Sequence, residues 1–198
     1  MKSHAINKKT HFIGGWYIDK NVCTNLIKYF ENSPNKEQGM VALKSGKAGV
    51  DKKKKLSMDV AIDPENQDKE ILNYYKELTK VVEEYKKKYK YCNIKQQEWR
   101  MIENWNLQKY KPKEGYFVKH CERSGSPTVN RHLTFMTYLN DIKKGGETEF
   151  YYQKLKIKPE TGLTLIWGTD WTTTHRGIPS ETETKYIATG WYSYRTKK

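Results

Sequence analysis

Two hydrophobic periods divide the chain, a helical one in its first half and a strand one after about residue 97. Val22, Leu26, Ile27 and Phe30 recur at the spacing that lines one face of a helix, and Asp19 stands where a capping carboxylate accepts the first free amides. A second stripe, Ile71, Leu72, Tyr75, Leu78, Val82 and Tyr85, predicts a longer helix. Asp63 is placed to cap it, and Pro64 falls at the first helical position, where a missing N–H costs nothing. Its lysine-rich last turns suit the negative end of the helix dipole. FIGGWYI (12–18) and LSMDVAI (56–62) read as short strands. Residues 32–55 keep no period; Pro34, several glycines and the run Lys52, Lys53, Lys54, Lys55 predict a loop.

Beyond residue 97, apolar and polar positions alternate in ENWNLQKY, RHLTFMTYLN, TEFYYQ, LKIKP, GLTLIWG, TTTHRGI and TKYIATGWYSY, separated by turn-forming pairs such as Asn-Asp and Gly-Gly. Strands this short and this closely spaced predict a mainly β fold, a sandwich or jelly roll, with the helices packed on one outer face. With 198 residues and no repeat, the chain reads as a single domain. Within it, 1–96 would be helical support with a substrate loop, and 97–198 the jelly-roll core.

Composition narrows the function classes. No apolar run is long enough to span a bilayer, and the N-terminal segment lacks the apolar stretch of a secretory signal. Three cysteines without C-x-x-C spacing argue against a disulfide scaffold or zinc ribbon and suit a reducing cytoplasm. The net charge of +14 invites an acidic or nucleic-acid partner. That charge is nearly all lysine, with arginine only at 100, 123, 131, 176 and 195, whereas phosphate and base readers favour arginine's planar fork. A Lys-, Asn- and Tyr-rich chain is also what an AT-rich genome encodes, so charge alone selects no partner.

The candidate chemistry lies in the β half. In KHCER, His120 and Glu122 are two residues apart, so in extended backbone their side chains leave the same face. A third ligand must come from another strand, and His175 in TTTHRG is the obvious donor. Two imidazoles and one carboxylate on one face of a metal leave positions open for a co-substrate and dioxygen, the facial triad of non-haem iron(II) oxygenases. His-x-Glu alone is a weak signal; the ordered string around it is what gives it weight.

That string is LQKYKPKEGYFVKHCE, RHLTFMTYLND, GGETEF, LKIKPETGLTLIW, THRGIP and KYIATGWY. Over about residues 104–194 it resembles the prolyl-4-hydroxylase-like family of iron(II)- and 2-oxoglutarate-dependent dioxygenases. The resemblance implies a double-stranded β-helix (jelly roll) core, iron held by His120, Glu122 and His175, 2-oxoglutarate and O2 as co-substrates, and ascorbate as an accessory reductant. Glu122 stands where most of the family has aspartate, one methylene shorter. Lys185, ten residues after His175, matches the cation that receives the distal carboxylate of 2-oxoglutarate. Tyr110 and Tyr138 match hydroxyl donors to the co-substrate, and Trp191 a pocket wall. Arg176 is basic too, but strand alternation turns it away from the face of His175. The implied reaction hydroxylates a protein or peptide side chain, proline first, and releases succinate and CO2. Two other readings stay open: oxidation or demethylation of a nucleic acid, and a non-enzymatic basic binding module on a decayed oxygenase fold. The segment 32–55, with Lys52 to Lys55, is expected to cover the mouth of the site and to favour an acidic peptide or a phosphate backbone.

Overall fold

In a computed structural model, which describes residues 1–43, 45–94 and 97–195, the two periods become two helices and two facing sheets. The helices are α1 (Lys20–Asn32) and α2 (Lys69–Lys88). The strands from the first half of the chain are β1 (Gly14–Tyr17), β2 (Glu37–Gln38), β3 (Val41–Ala42), β4 (Ala48–Gly49) and β5 (Met58–Ile62). Those that follow are β6 (Trp99–Arg100), β7 (Trp105–Tyr110), β8 (Tyr116–His120), β9 (Arg131–Tyr138), β10 (Thr148–Phe150), β11 (Leu155–Ile157), β12 (Leu163–Gly168), β13 (His175–Gly177) and β14 (Lys185–Tyr194). The larger sheet runs β1-β12-β9-β14-β7-β5-β2, with β6 beside β14; the smaller runs β11-β10-β13-β8; β3 and β4 pair separately. This is the jelly-roll core with helices on one outer face. Three strands of the larger sheet, β1, β2 and β5, come from the first 62 residues, so that half supplies sheet as well as helical support.

Side-chain alternation sorts the core into two layers. Along β9, Leu133 and Phe135 face the helices, while Met136 and Tyr138 face the smaller sheet. Along β12, Ile166 goes to the helix side and Leu163, Leu165 and Trp167 to the other. Against the first layer, α1 buries Cys23, Leu26 and Phe30, and α2 buries Ile71, Tyr74, Leu78, Val81, Val82 and Tyr85. Truncating one such fully buried aromatic, Phe30→Ala, costs about 3–5 kcal/mol by lost burial and the cavity left.

Asp19 caps α1 as expected, its carboxylate accepting the Asn21 amide at 2.8 Å. The start of α2 needs correction. Asp63 does not cap it; its carboxylate accepts the Glu65 amide at 2.7 Å and its carbonyl the Asn66 amide at 3.0 Å, closing a separate turn. Asn66 then accepts the Asp68 amide at 2.8 Å, and Asp68 becomes the residue before the helix. The buried stripe is rotated accordingly, with Tyr74 and Val81 deep and Leu72 and Tyr75 half-buried.

The segment 32–55 also departs from a plain loop; position 44 lies outside the described residues. β2 extends the larger sheet, β3 and β4 form a hairpin, and Lys55 bridges to Tyr116. The Leu56 amide donates to Gly115 at 2.9 Å and the Phe117 amide to Lys54 at 2.8 Å. The end of the lysine run is therefore stitched along β8. Lys55 is only 3% exposed, and its Nζ lies 2.6 Å from Asp59 Oδ2. It cannot act as a solvent-facing lysine, because its charge is committed to a buried carboxylate. Lys54 is tethered to the Ala42 carbonyl at 3.2 Å, which leaves Lys52 and Lys53 as the exposed members. Among the described residues, no helix is long and apolar enough to cross a membrane.

Candidate metal centre

β8 and β13 pair so that His120 and His175 face each other in register, their ring centroids 4.5 Å apart. His120 closes β8, and Glu122 sits just past the strand in a bend, not in the extended backbone that the spacing suggested. The bend is held by the main chain: the amides of Glu122 and Arg123 donate to Thr169 O at 3.0 and 2.9 Å. It turns the Glu122 carboxylate toward both rings, with Oε1 3.6 Å from His120 Nε2 and 3.3 Å from His175 Nε2. One ligand atom from each residue lies within 4.8 Å of the others.

The tautomers are set from behind. His120 Nδ1 lies 3.0 Å from the Val118 carbonyl and His175 Nδ1 2.9 Å from that of Thr173. A carbonyl only accepts, so each Nδ1 carries the proton and each Nε2 turns a lone pair toward Glu122. Donors on one ion at about 2.0–2.2 Å stand roughly 3–3.5 Å apart, and this set needs only a small contraction to reach that. Two imidazoles and one carboxylate suit iron(II) and leave part of the coordination sphere free. Burial opposes ionisation of Glu122, but in the metal-free pocket each Nε2 that takes a proton becomes a charged donor to this carboxylate, and these hydrogen bonds and charges hold the carboxyl well below the usual range. Burial, then the neighbouring His175, lowers His120, which favours its neutral, ligating form.

The second carboxylate oxygen has its own support, which the sequence pattern did not reveal. Trp191 Nε1 donates to Glu122 Oε2 at 2.8 Å, so Trp191 is more than a wall. The Arg131 guanidinium lies 3.5 Å over the Trp191 ring and donates to the Glu122 carbonyl at 3.2 Å. Its other nitrogens grip Glu103 Oε2 at 2.9 and 2.7 Å. Tyr116 stacks on His120 with centroids 3.7 Å apart, and Phe150 and Trp167 flank His175 at 5.5 and 5.1 Å.

Lys185 begins β14, faces inward and is 4% exposed. Its Nζ donates to Gly146 O at 3.0 Å and lies 5.0 Å from the centre of the Tyr110 ring. The Gly-Gly turn therefore has a part in the pocket: Gly145 and Gly146 both take positive φ, 76° and 78°, which aims the Gly146 carbonyl at this ammonium. Burial depresses Lys185 to about 8, against a smaller opposing effect of Glu147. Tyr138 lies on the same inner face, opposite Ile187, with its hydroxyl 2.7 Å from Thr148 Oγ1. Arg176 is turned outward and paired with Glu149 at 2.6 Å. Tyr110 donates to Gln108 Oε1 at 2.7 Å, and Gln108 Nε2 donates to Asp59 at 3.1 Å. Asp59 also receives Lys55 at 2.6 Å and Ser57 at 2.7 Å, so this acceptor-only carboxylate orients the Gln108 amide and with it the Tyr110 proton. Asp59 and Gln108 were not foreseen; a carboxylate and an amide on the inward-facing register of β5 and β7 were the available signal. Cys121, between two ligands, turns its thiol to the Arg123 carbonyl at 3.6 Å.

Residues 105–193 match the model of the 2OG-Fe(II) oxygenase superfamily. Prolyl 4-hydroxylase subunit alpha-3 of Homo sapiens is 29% identical, over 39% of this chain and 17% of its own length, so the chain spans a small part of that relative. Among solved structures, the viral collagen prolyl hydroxylase of Paramecium Bursaria Chlorella virus-1 in complex with 2OG aligns at TM-score 0.64 and 20% identity, covering 96% of this chain and 98% of that one. A Trichoplax adhaerens prolyl hydroxylase, in complex with a hypoxia inducible factor oxygen degradation domain peptide fragment, aligns at 0.70 and 17% identity over 93% of this chain and 84% of its own. Over residues 105–193 the chain is similar to the 2OG-Fe(II) oxygenase superfamily, and prolyl hydroxylases stand among its relatives and its neighbours by fold.

Proposed function

We propose that the chain is an iron(II)- and 2-oxoglutarate-dependent dioxygenase that hydroxylates a protein or peptide side chain, with proline the first candidate. The observation that carries this reading is the meeting of His120 Nε2, His175 Nε2 and Glu122 Oε1 at one point. When bound, iron(II), 2-oxoglutarate and O2 supply the oxidising chemistry, with succinate and CO2 as co-products. His120, Glu122 and His175 hold the metal. Lys185 receives the distal carboxylate of 2-oxoglutarate, with Tyr138 and Thr148 beside it; a buried carboxylate without such a cation would be strongly disfavoured. Trp191 keeps the second oxygen of Glu122 occupied and Arg131 holds the Glu122 main-chain carbonyl, so that Oε1 faces the rings. Tyr116, Phe150 and Trp167 exclude water around the two imidazoles. Ascorbate would be the accessory reductant for the metal held by His120, Glu122 and His175. The free thiols of Cys23, Cys92 and Cys121 favour a reducing cytoplasm as its location.

Two neighbours by fold, a collagen prolyl hydroxylase and a prolyl hydroxylase with a bound peptide, favour a protein or peptide substrate. The +14 net charge favours the second reading, oxidation of a nucleic acid. Succinate release, with iron, 2-oxoglutarate and ascorbate present, against matched panels of proline-containing peptides and oligonucleotides separates them. Turnover stimulated by peptides alone supports the first; stimulation by oligonucleotides alone replaces it with the second. Failure of both panels with 2-oxoglutarate still bound leaves the binding module on an oxygenase fold.

A further inference from the structure

Three large aromatic side chains stand together at the surface. Tyr151, Tyr152 and Trp171 are 51%, 57% and 65% exposed, yet their rings form a continuous row, with centroids 5.2 and 5.7 Å apart and planes inclined by 77° and 84°. They come from two segments, the turn after β10 and the short 3-10 turn Trp171–Thr173 that leads to His175. Strand alternation sets Phe150 against His175 and turns Tyr151 outward, so the row starts on the outer side of the smaller sheet, away from the metal ligands.

The exposure is not that of a loose loop. The Tyr151 amide donates to Thr174 O at 2.9 Å and Gln153 Nε2 to Thr172 O at 2.8 Å, which ties the two segments together. Asp170 caps the second turn through the Thr172 amide at 3.0 Å, and Thr174 Oγ1 donates to Trp171 O at 2.6 Å. Lys154 takes φ 50° to close the first turn, its amide reaching Tyr151 O at 3.3 Å. The main chain around the rings is used internally, so what faces solvent is ring surface already held in place, which a partner can cover at little cost in ordering. Contiguous exposed apolar surface of this kind marks an interaction site.

Charge narrows the partner. Lys119 Nζ stands 3.9 Å from the centre of the Tyr151 ring, and Lys154 is exposed in the same turn; neither forms an ion pair among the described residues. The neighbouring acids are already matched, Glu149 by Arg176 and Lys156 at 2.6 and 3.4 Å, and Asp170 by Arg123 at 3.4 Å. The row therefore carries uncompensated positive charge, on a chain whose net charge is +14. Ring faces beside unpaired lysines suit a partner that is itself a string of flat rings on a polyanionic backbone. Stacking accepts any base and lysine holds phosphate as a point charge, so this mode needs no arginine fork and fits a chain poor in arginine.

We propose that Tyr151, Tyr152 and Trp171 form a surface that binds single-stranded nucleic acid without sequence preference, its bases against the rings and its phosphates on Lys119 and Lys154. The surface lies outside the metal centre and does not depend on the oxygenase reading. Fluorescence anisotropy of the full chain with labelled oligouridylate and oligothymidylate of about twelve nucleotides tests it, beside a duplex of the same length and a glutamate–proline repeat peptide. At least one single strand should bind about ten-fold tighter than the duplex, whose paired bases cannot reach the rings, and the two strands show whether RNA or DNA is preferred. Manganese and 2-oxoglutarate should leave this affinity unchanged. Trp171→Ala and Tyr152→Ala should each weaken it about five- to a hundred-fold, with Tm and salt dependence unaltered. Lys119→Gln should lower the slope of log affinity against log salt by about 0.7, the loss of one phosphate contact. Lys28→Ala and Lys76→Ala, exposed on α1 and α2, remove the same charge elsewhere and should change affinity by less than about two-fold at physiological salt. The proposal is overturned if neither strand binds, if the duplex binds as tightly, or if Trp171→Ala and Tyr152→Ala keep full affinity. Losses in Lys28→Ala equal to those in Lys119→Gln, or a glutamate–proline peptide that binds this surface in place of the strands, overturn it as well.

Discussion

Shortening the carboxylate ligand is the most informative perturbation, because Glu122 serves two sets of partners at once. Its Oε1 faces His120 and His175 at 3.6 and 3.3 Å, while its Oε2 accepts from Trp191 at 2.8 Å. Glu122→Asp withdraws the carboxylate by about 1.5 Å, one carbon–carbon bond. The backbone cannot advance to compensate, since the Glu122 amide is tied to Thr169 at 3.0 Å and its carbonyl to Arg131 at 3.2 Å. One partner set must be lost. If the shorter carboxylate keeps the metal, it gives up Trp191, a hydrogen bond to a charged group worth about 1.5–3 kcal/mol, or roughly ten- to a hundred-fold in affinity. Trp191→Phe removes the same bond from the other side and keeps the ring under Arg131. Each single substitution should therefore weaken manganese(II) binding by that factor in anaerobic titration calorimetry. The double substitution should cost scarcely more than either alone, a coupling of about 1.5–3 kcal/mol. Additive losses, or full affinity in Glu122→Asp, would show that Trp191 does not position this ligand.

Lys185→Met should raise the Kd for 2-oxoglutarate roughly ten- to a hundred-fold in metal-loaded protein, with metal affinity unchanged; an equal fall in metal affinity would deny Lys185 its separate role. The charged ammonium is the binding form, so 2-oxoglutarate affinity should be full below pH 8 and fall as pH rises through about 8, where Lys185 deprotonates in the free protein. A flat profile to pH 9 would contradict that. Breaking the buried pair with Lys55→Met should destabilise the chain by about 3–5 kcal/mol in urea unfolding, against about 0.5 kcal/mol or less for Lys52→Ala or Lys53→Ala. Asp59→Asn frees the Gln108 amide to flip and so should alter 2-oxoglutarate affinity severalfold, an effect lost when Tyr110→Phe is also present; persistence of the effect would exclude the path through Tyr110.

The β half of the chain was legible because alternation is a strong local signal and the site lies on it. His120, His175 and Lys185 all sit on strands whose inward faces the pattern predicts. What could not be read locally depends on long-range partners. Asp63 and Asp68 are both fair caps by residue type, and the turn closed by Asn66 decides between them. A lysine run looks solvated until Asp59 is found beneath Lys55. The role of Arg131 is invisible in sequence, because Glu103, Trp191 and the Glu122 carbonyl reach it from three separate segments. Glu122 itself was found from its spacing, although the extended backbone assumed for it proves to be a bend.

The central claim is that His120, Glu122 and His175 together hold one iron(II) to which 2-oxoglutarate binds. Its most direct test is anaerobic titration of metal-free chain with iron(II) in the presence of 2-oxoglutarate, followed by the visible charge-transfer absorption that appears when a keto acid chelates iron(II). The account predicts one iron per chain, an absorption that requires both additions, and its loss in His175→Ala. Absorption that persists in His175→Ala, or wild-type chain that takes up no iron, would contradict it.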